Sequence, residues 1–237
     1  MGYETDLISF ESRAAMAERV ADVIEAILAR SIAERGRATL AASGGKTPGD
    51  LYRALSRRSL GWAKVTAALV DDRWVPPDAE GSNESFVRET LVQDKAAQAE
   101  LVGLWSAAPA PAQRLDVAEA RLASLSLPLD AVVLGMGEDG HTASWFARAD
   151  GLERALKRDA ARVAAVRAQP SRVTGDHLDR MTLTLGAIAD ARIICLLIAG
   201  EEKRAAFEKA REEGEIEAMP VRAILKARPD LWACWAP

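Results

Sequence analysis

The sequence predicts an α/β fold built on a mostly parallel, Rossmann-like sheet with helices on both faces. Two observations support this prediction. Four apolar runs of strand length are continuous rather than alternating with polar residues, as expected of strands that are buried on both faces. They occupy residues 37–43, 65–70, 130–135 and 191–200. Each run leads into a polar turn and then into helical periodicity, the order that is typical of parallel strands joined by helices.

The first predicted element is a long helix over residues 11–35. Apolar side chains recur there at three- and four-residue steps, which is the period of a helix with one buried face. They are Ala17, Val20, Ala21, Ile24 and Leu28. Gly36 follows at the position of a helix C-cap, where glycine is favoured because it readily adopts the left-handed conformation.

A strand, a tight turn and a second helix are predicted next. The strand ends at the Ser-Gly-Gly sequence of residues 43–45. Thr47 is expected to be the N-cap of the helix and Pro48 its first residue. Asp50 is expected in the first turn, where an acid faces the positive end of the helix dipole.

Later segments repeat this arrangement. The run at 65–70 is followed by an acidic turn at residues 71–72, and the run at 130–135 is followed by the turn at 136–141. The last run, at 191–200, is followed by an amphipathic helix. The strand-like sequence MTLTL begins at Met181.

The site is expected at one edge of this sheet. The Pro/Ala-rich stretch 108–113 is interpreted as a loop rather than a linker, so residues 1–237 are expected to form a single domain. In open parallel sheets, ligands bind beyond the carboxyl ends of the strands. The loops to consider are therefore residues 43–47, 71–83, 135–142 and 200–203.

Composition excludes several classes of protein. With 49% hydrophobic and 28% charged residues, the chain can bury a sizeable core. Its net charge of −4 provides no global positive field, so neither nucleic acid nor an anionic membrane is an expected partner. Two cysteines and two histidines suggest neither a disulfide framework nor a zinc site. No signal peptide or membrane-spanning stretch is recognisable, so a cytoplasmic protein is expected.

The loop at residues 43–47 contains Gly-Lys-Thr but is not a P-loop. A P-loop needs a glycine five residues before Gly45, and Leu40 stands there. A glycine turn at the start of a helix still lets backbone N–H groups approach an anion. Either a phosphate site or a simple strand-to-helix turn fits this segment.

Residues 135–140, GMGEDG, match the GxGxxG pattern, but a dinucleotide site is disfavoured. Glu138 and Asp139 would face the pyrophosphate, and this strand comes in the middle of the chain. Asp139 and His141 suit proton transfer better, because histidine is the usual general base and a nearby carboxylate can orient it. The alternative is a helix-capping histidine beside a surface acid.

Other polar residues carry weaker signals. Asp71, Asp72 and Arg73 follow a strand and could bind hydroxyls and an anion, or form a solvated turn. Arg180 and Lys203 are single cations, and by themselves they are as typical of a solvated surface as of a binding site. A serine hydrolase is disfavoured because no GxSxG sequence occurs. Cys195 lies in an apolar run and is expected to be a buried, unreactive thiol. Any hydrolysis is therefore expected to use direct attack by water.

Together these segments resemble the 6-phosphogluconolactonase family. The matching stretches are AASGGKTPGDLY from residue 41, VDDRWVPPDAEGSNESFVRETL from residue 70, VVLGMGEDGHTASWF from residue 132, RMTLT from residue 180 and AGEEKRAAF from residue 199. The resemblance implies hydrolysis of 6-phospho-D-glucono-1,5-lactone, without a metal or cofactor. It also implies a fold shared with glucosamine-6-phosphate isomerases and deaminases, and a monomer or weak homo-oligomer is expected.

The resemblance implies a role for each residue of the site. His141 would be the general base and Asp139 its partner, and Asn83 would shape the loop that carries Arg73. The residues implied in substrate binding are Ser43, Gly44, Gly45, Lys46, Thr47, Asp71, Arg73, Gly137, Thr142, Arg180 and Lys203.

The sequence departs from the family pattern at a few places. Trp145 and Ala147 replace the expected leucine and proline, and the segment between Pro170 and Arg180 is longer than the usual proline turn. Two alternative functions remain. A sugar-phosphate isomerase or deaminase should carry an acid shortly after the histidine, where Ala-Ser-Trp-Phe stands instead. A non-catalytic sugar-phosphate sensor would bind the ligand without converting it.

Overall fold

The computed structural model describes residues 2–159 and 161–237. In this part of the chain, ten strands form two sheets. The strands are β1 (Leu7–Ser9), β2 (Ala38–Ala42), β3 (Val65–Leu69), β4 (Asp71–Arg73), β5 (Glu100–Val102), β6 (Ala131–Gly135), β7 (Val163–Arg167), β8 (Asp179–Leu183), β9 (Ile193–Ala199) and β10 (Trp232–Ala236).

Helices lie between most of the strands. The α-helices of the described residues are α1 (Arg13–Arg35), α2 (Lys46–Ser56), α3 (Asn83–Thr90), α4 (Leu115–Leu122), α5 (Leu152–Ala155), α6 (Leu185–Ile188), α7 (Glu201–Arg211) and α8 (Val221–Ala227). Short 3-10 helices occupy Trp62–Lys64, Asp94–Gln98 and Pro111–Arg114. No helix in the described part of the chain has the length and apolar character needed to cross a bilayer.

The main sheet has seven strands, in the order β1-β10-β9-β6-β2-β3-β5, and every neighbouring pair is parallel. The predicted fold class is therefore confirmed. Strands β9, β6 and β2 are adjacent, so the loops that leave their carboxyl ends lie side by side. This adjacency brings together three of the loops that the sequence marked as candidates.

The first helix matches its prediction closely. It begins at Arg13, where the Ser12 side chain caps the N-terminus by accepting a hydrogen bond from the Ala15 amide at 3.1 Å. It ends at Gly36, which adopts the left-handed conformation with φ of 74°. The five apolar residues expected on its inner face are all buried.

The start of α2 differs from the prediction. The helix begins at Lys46 with Gly45 as its N-cap, so Thr47 is not the cap and Pro48 is not the first residue. Asp50 consequently lies beyond the first turn. The physical reason is the backbone of Gly45, whose φ of 108° is accessible to glycine and lets the chain turn two residues earlier than a cap at Thr47 would.

Two other predictions were wrong. The acidic turn expected at residues 71–72 is instead part of β4, which pairs with β8 in a separate antiparallel sheet of order β4-β8-β7. The segment after β6 was expected to be helical, but it continues as loop and turn until the four-residue helix α5. Both differences occur at the site, where the chain follows tertiary pairing rather than local periodicity.

A buried carboxylate joins the first helix to the main sheet. Asp130 accepts hydrogen bonds from Ser31 Oγ at 2.6 Å and from the Thr39 amide at 2.8 Å, and it is paired with Arg35. Burial opposes ionisation of Asp130, but the hydrogen bonds from Ser31 and Arg35 outweigh it and hold the pKa below the usual range.

We expect Asp130→Asn to lower the free energy of unfolding by about 1–3 kcal/mol, because it weakens buried charge-assisted hydrogen bonds. Urea unfolding at pH 7 measures this change. The lowered pKa means that the carboxylate stabilises the fold fully above the ordinary aspartate range and less as pH falls through the folded-state value. The difference between parent and variant should therefore shrink below about pH 4.

The matched control is Asp190→Asn, since Asp190 also pairs with an arginine but its side chain is 72% exposed. The control should change stability by less than about 0.5 kcal/mol. Equal stability of Asp130→Asn and the parent at pH 7 would contradict the role of Asp130.

Candidate active site

A cavity of about 380 Å³ opens where β9, β6 and β2 end. Of the residues expected at the site, it is lined by Ser43, Gly44, Gly45, Asp71, Arg73, Gly137, His141, Arg180 and Lys203. Residues far apart in the chain therefore share one cavity, as the position of the four loops predicts. It is also lined by Asn83, Gly135, Met136, Glu138, Ala143, Phe146, Arg172 and Val173.

The histidine and the acid of the loop after β6 form a tight pair. Asp139 Oδ1 lies 2.5 Å from His141 Nδ1 and also accepts the His141 amide at 3.2 Å. Burial disfavours the charged form of Asp139, but the hydrogen bond and charge of His141 outweigh it, so the pKa of Asp139 lies below its usual value. The ionised carboxylate assigns the ring proton to Nδ1 and leaves the lone pair on Nε2.

The histidine ring is fixed on two further sides. The Phe146 ring lies against it, with 4.4 Å between ring centroids. Gly137 closes the loop by donating its amide to the His141 carbonyl at 3.0 Å. A Cβ atom at residue 137 would lie 2.2 Å from His141 Nδ1 and 2.5 Å from Asp139 Oδ1. Only glycine leaves room for the pair at this position.

The candidate phosphate-binding loop, residues 43–45, is anchored to helix α2. Tyr52 of α2 donates its hydroxyl to the Ser43 carbonyl at 2.8 Å. Ser43 lines the cavity, and its buried hydroxyl has no hydrogen-bond partner among the described residues. A buried hydroxyl without a partner is costly, so a ligand that reached it would gain by pairing with it.

Arg73 and Arg180 meet through the antiparallel sheet. They are directly opposite each other in the pairing of β4 with β8, and both line the cavity. Burial lowers the pKa of Arg180 to about 10, with Asp71 opposing the shift and Arg73 adding to it. Arg180 therefore stays charged at neutral pH. The Arg180 guanidinium lies 5.4 Å from the centroid of the Phe146 ring. The same ring also contacts His141.

Asn83 connects Arg73 to the glycine loop. Its Oδ1 accepts from Arg73 Nη1 at 3.2 Å, and its Nδ2 donates to the Asp71 carbonyl at 2.8 Å. A Cβ atom on Gly44 would lie 2.0 Å from Asn83 Oδ1, so the glycine is required for this approach. Asn83 therefore contacts both Arg73 and the segment beside the glycine loop.

The two acids after β3 have different environments. Asp71 lines the cavity and accepts from Ser144 Oγ at 2.6 Å. Asp72 is directed instead at the start of α3, where it accepts the amides of Asn83 at 2.6 Å and Glu84 at 3.1 Å. Of the two, only Asp71 is in a position to contact a ligand.

The remaining predicted residues lie around the cavity rather than on its wall. Asp139 is behind His141, and Lys46 is exposed at the first turn of α2 beside the half-buried Thr47. Thr142 is fully buried and donates its hydroxyl to the Gly135 carbonyl at 2.8 Å. Among the residues described, no group of three or more His, Cys, Asp and Glu side chains is arranged to hold a metal ion.

Comparison with known proteins identifies the family of this chain. Residues 11–233 match the family described as glucosamine-6-phosphate isomerases/6-phosphogluconolactonase. The chain belongs to this family. A 6-phosphogluconolactonase of Rhizobium meliloti (strain 1021) is 44% identical over 230 residues, which cover 96% of this chain and 97% of that protein.

Other relatives of the glucosamine-6-phosphate isomerase/6-phosphogluconolactonase family agree in sequence and structure. A 6-phosphogluconolactonase of Mesorhizobium japonicum is 43% identical over 224 residues, covering 94% of this chain and 90% of that protein. The crystal structure of a 6-phosphogluconolactonase from Shewanella baltica OS155 superposes with a TM-score of 0.91 at 38% identity, covering 98% of both chains. The resemblance that the motifs indicated is thus confirmed.

Several cavity residues of this family member were not expected from the sequence. Phe146 and Val173 are apolar residues in loops, and nothing in their spacing marks them as part of the site. The sequence marks Glu138 only as a charge that disfavours a dinucleotide. Arg172 lies in the segment between residues 170 and 180, whose unusual length was the one available signal.

Proposed function

We propose that this chain hydrolyses 6-phospho-D-glucono-1,5-lactone to 6-phospho-D-gluconate. One observation carries the proposal. A histidine that is oriented by an ionised carboxylate shares a small cavity with a glycine turn and the cations Arg73, Arg180 and Lys203. A general base and an anion site are what hydrolysis of a phosphorylated lactone requires.

The sugar phosphate is held by the cations and the glycine turn. The Ser43 hydroxyl and the turn at residues 44–45 offer donors at the start of α2, where the helix dipole favours an anion. Arg180 and Lys203 add charge-assisted hydrogen bonds, each contributing about 1.5–3 kcal/mol. Burial lowers the pKa of Lys203, and the neighbouring charges of Glu138 and Asp139 partly oppose this.

His141 activates the water. Its Nε2 removes a proton from a water molecule that attacks the C1 carbonyl, and the Nδ1 hydrogen bond to Asp139 stabilises the imidazolium that forms. The tetrahedral intermediate collapses as the C1 bond to the ring oxygen breaks, and the imidazolium returns its proton to that oxygen. The product carries a C1 carboxylic acid, which ionises in water, and the histidine is neutral again.

The isomerase or deaminase alternative lacks a suitable acid. No Asp or Glu occurs in residues 142–149. The next acid, Asp150, is exposed and belongs to a backbone bridge with Arg167. Asp71 is in the cavity, but it accepts the Ser144 hydroxyl at 2.6 Å. Lactone hydrolysis therefore fits the available groups better than ring opening and proton abstraction do.

The test generates the lactone in situ by oxidising glucose 6-phosphate and follows acid release with and without the protein. We expect acid release to accelerate in proportion to protein concentration. A rate equal to the spontaneous background would remove the proposed activity. Binding of glucose 6-phosphate without such acceleration would favour the non-catalytic sensor.

A further inference from the structure

A cavity wall is formed by the loop between β7 and β8. Arg172 and Val173 of this loop line the cavity beside Glu138. This is the segment whose length departs from the family pattern, so its contribution to the site cannot be carried over from that pattern. Arg172 is the only arginine or lysine of the described cavity lining that lies in this loop.

The loop is anchored by a residue of the anion site. Arg180 donates from Nε to the His177 carbonyl at 2.7 Å and from Nη2 to the Thr174 carbonyl at 3.1 Å. Thr174 in turn donates its hydroxyl to the Gln169 carbonyl at 3.0 Å. The cation that is expected to meet the phosphate therefore also holds the loop that carries Arg172.

Arg172 pairs with an acid of the catalytic loop. Its guanidinium contacts the Glu138 carboxylate, and the side chains are 83% and 36% exposed, respectively. Solvent screens an ion pair this exposed, so Arg172 can readily exchange Glu138 for a more highly charged partner. Glu138 directly precedes Asp139, and its charge also acts on Lys203. The pair thus lies beside the cations of the site.

We propose that Arg172 is a further substrate-binding residue, which leaves Glu138 when the sugar phosphate enters and donates to the phosphate instead. This inference rests on the proposed function, because it assumes the same ligand. A phosphate monoester carries about −1.5 to −2 charges at neutral pH against −1 for a carboxylate, and its oxygens match the arginine fork. Exchange of partner is therefore favoured once the phosphate is in the cavity.

The first test measures binding of glucose 6-phosphate by calorimetry to the parent and to Arg172→Gln. We expect the Kd to rise about tenfold in the variant, as for the loss of one partly exposed charge-assisted hydrogen bond. With the lactone, KM should rise by a similar factor while kcat changes by less than about twofold. The side chain is largely exposed, so the substitution leaves the fold intact.

The matched control is Arg167→Gln. Arg167 is the last residue of β7, directly before the same loop; it pairs with Asp179 at 2.7 Å and does not line the cavity. The Arg167→Gln variant removes the same charge from the protein without removing a donor from the site. A Kd that rises equally in both variants would show a diffuse charge effect and would overturn the role of Arg172.

A double-mutant cycle with Glu138→Gln separates exchange from a static pair. If Arg172 leaves Glu138, then Glu138→Gln removes a competitor, and it should tighten binding more in the parent than in the Arg172→Gln background. If Arg172 stays on Glu138 and only masks its charge, the tightening should be equal or smaller in the parent. The second result would overturn the exchange.

The final arm identifies the anionic group. Gluconate has a carboxylate but no phosphate, and its weak binding should be insensitive to Arg172→Gln. If Arg172→Gln weakened binding of gluconate but not of glucose 6-phosphate, the assignment of Arg172 to the phosphate would be overturned. The Kd measurements report binding alone, so they are independent of turnover. A protein that hydrolyses the lactone but binds glucose 6-phosphate equally with and without Arg172 would refute only this inference.

Discussion

His141→Ala should lower kcat for lactone hydrolysis by at least about 100-fold, because a positioned general base contributes roughly 10²–10⁴ in rate. The residue lies on the cavity wall with its Nδ1 held by Asp139 at 2.5 Å, so alanine removes the Nε2 lone pair that would accept the proton from water. Acid release from lactone generated in situ measures the rate after the spontaneous rate has been subtracted.

Binding should be preserved in the same variant. The Kd for glucose 6-phosphate should change by less than about threefold, since the charge-assisted hydrogen bonds to the phosphate come from other residues. Lys203→Ala provides the contrast, because it should mainly raise KM and leave the proton chemistry in place. Full activity of His141→Ala would refute the assigned role.

The pH dependence of the activity of the parent protein follows from the pair of Asp139 and His141. The pKa of Asp139 is held below its usual range, so the carboxylate remains ionised in mild acid. Loss of activity on the acid side therefore reports protonation of the imidazole, which removes the lone pair that accepts the proton from water. An acid limb that is absent from the profile of kcat/KM would contradict general-base catalysis by His141.

Gly137→Ala is expected to lower kcat by about 100-fold, because an added methyl group displaces the catalytic pair and a shift of about 1 Å can cost this much. The new Cβ would lie 2.2 Å from two atoms of the His141 ring and 2.5 Å from Asp139 Oδ1. Gly137 is not among the glycines with positive φ, so steric contact rather than backbone strain causes the loss.

The control for this variant is Gly61→Ala, where the nearest atoms to the new Cβ are 3.8 Å away and φ is −71°. It tests the general effect of adding a methyl group to a glycine of a short turn, and its activity should equal that of the parent. Circular dichroism and thermal unfolding should show that Gly137→Ala is folded. A folded Gly137→Ala protein with the kcat of the parent would disprove the steric argument.

Much of the fold could be predicted from local sequence. The 3.6-residue period and the terminal glycine specify α1, and continuous apolar runs specify β2, β6 and β9. Because these strands are parallel and adjacent, their carboxyl ends place the glycine turn, the histidine loop and Lys203 at one edge. That part of the site could be predicted from the rule that loops at the carboxyl ends of parallel strands bind ligands.

The rest of the site depends on contacts between distant segments. The pairing of β4 with β8 joins residues more than a hundred positions apart, and a three-residue acidic strand has no periodicity to reveal it. The meeting of Arg73 with Arg180 was therefore not predictable from either segment alone. The contact between Arg172 and Glu138 was missed for the same reason, since it is made between two loops.

The cross-strand pair of Arg73 and Arg180 has a consequence for the empty protein. Like charges directly opposite each other in a sheet repel, and at Arg180 the nearby carboxylates of Asp71 and Asp72 offset this repulsion. A dianion that contacts both arginines would favour the pairing of β4 with β8, so the unfolding temperature should rise with sugar-phosphate concentration.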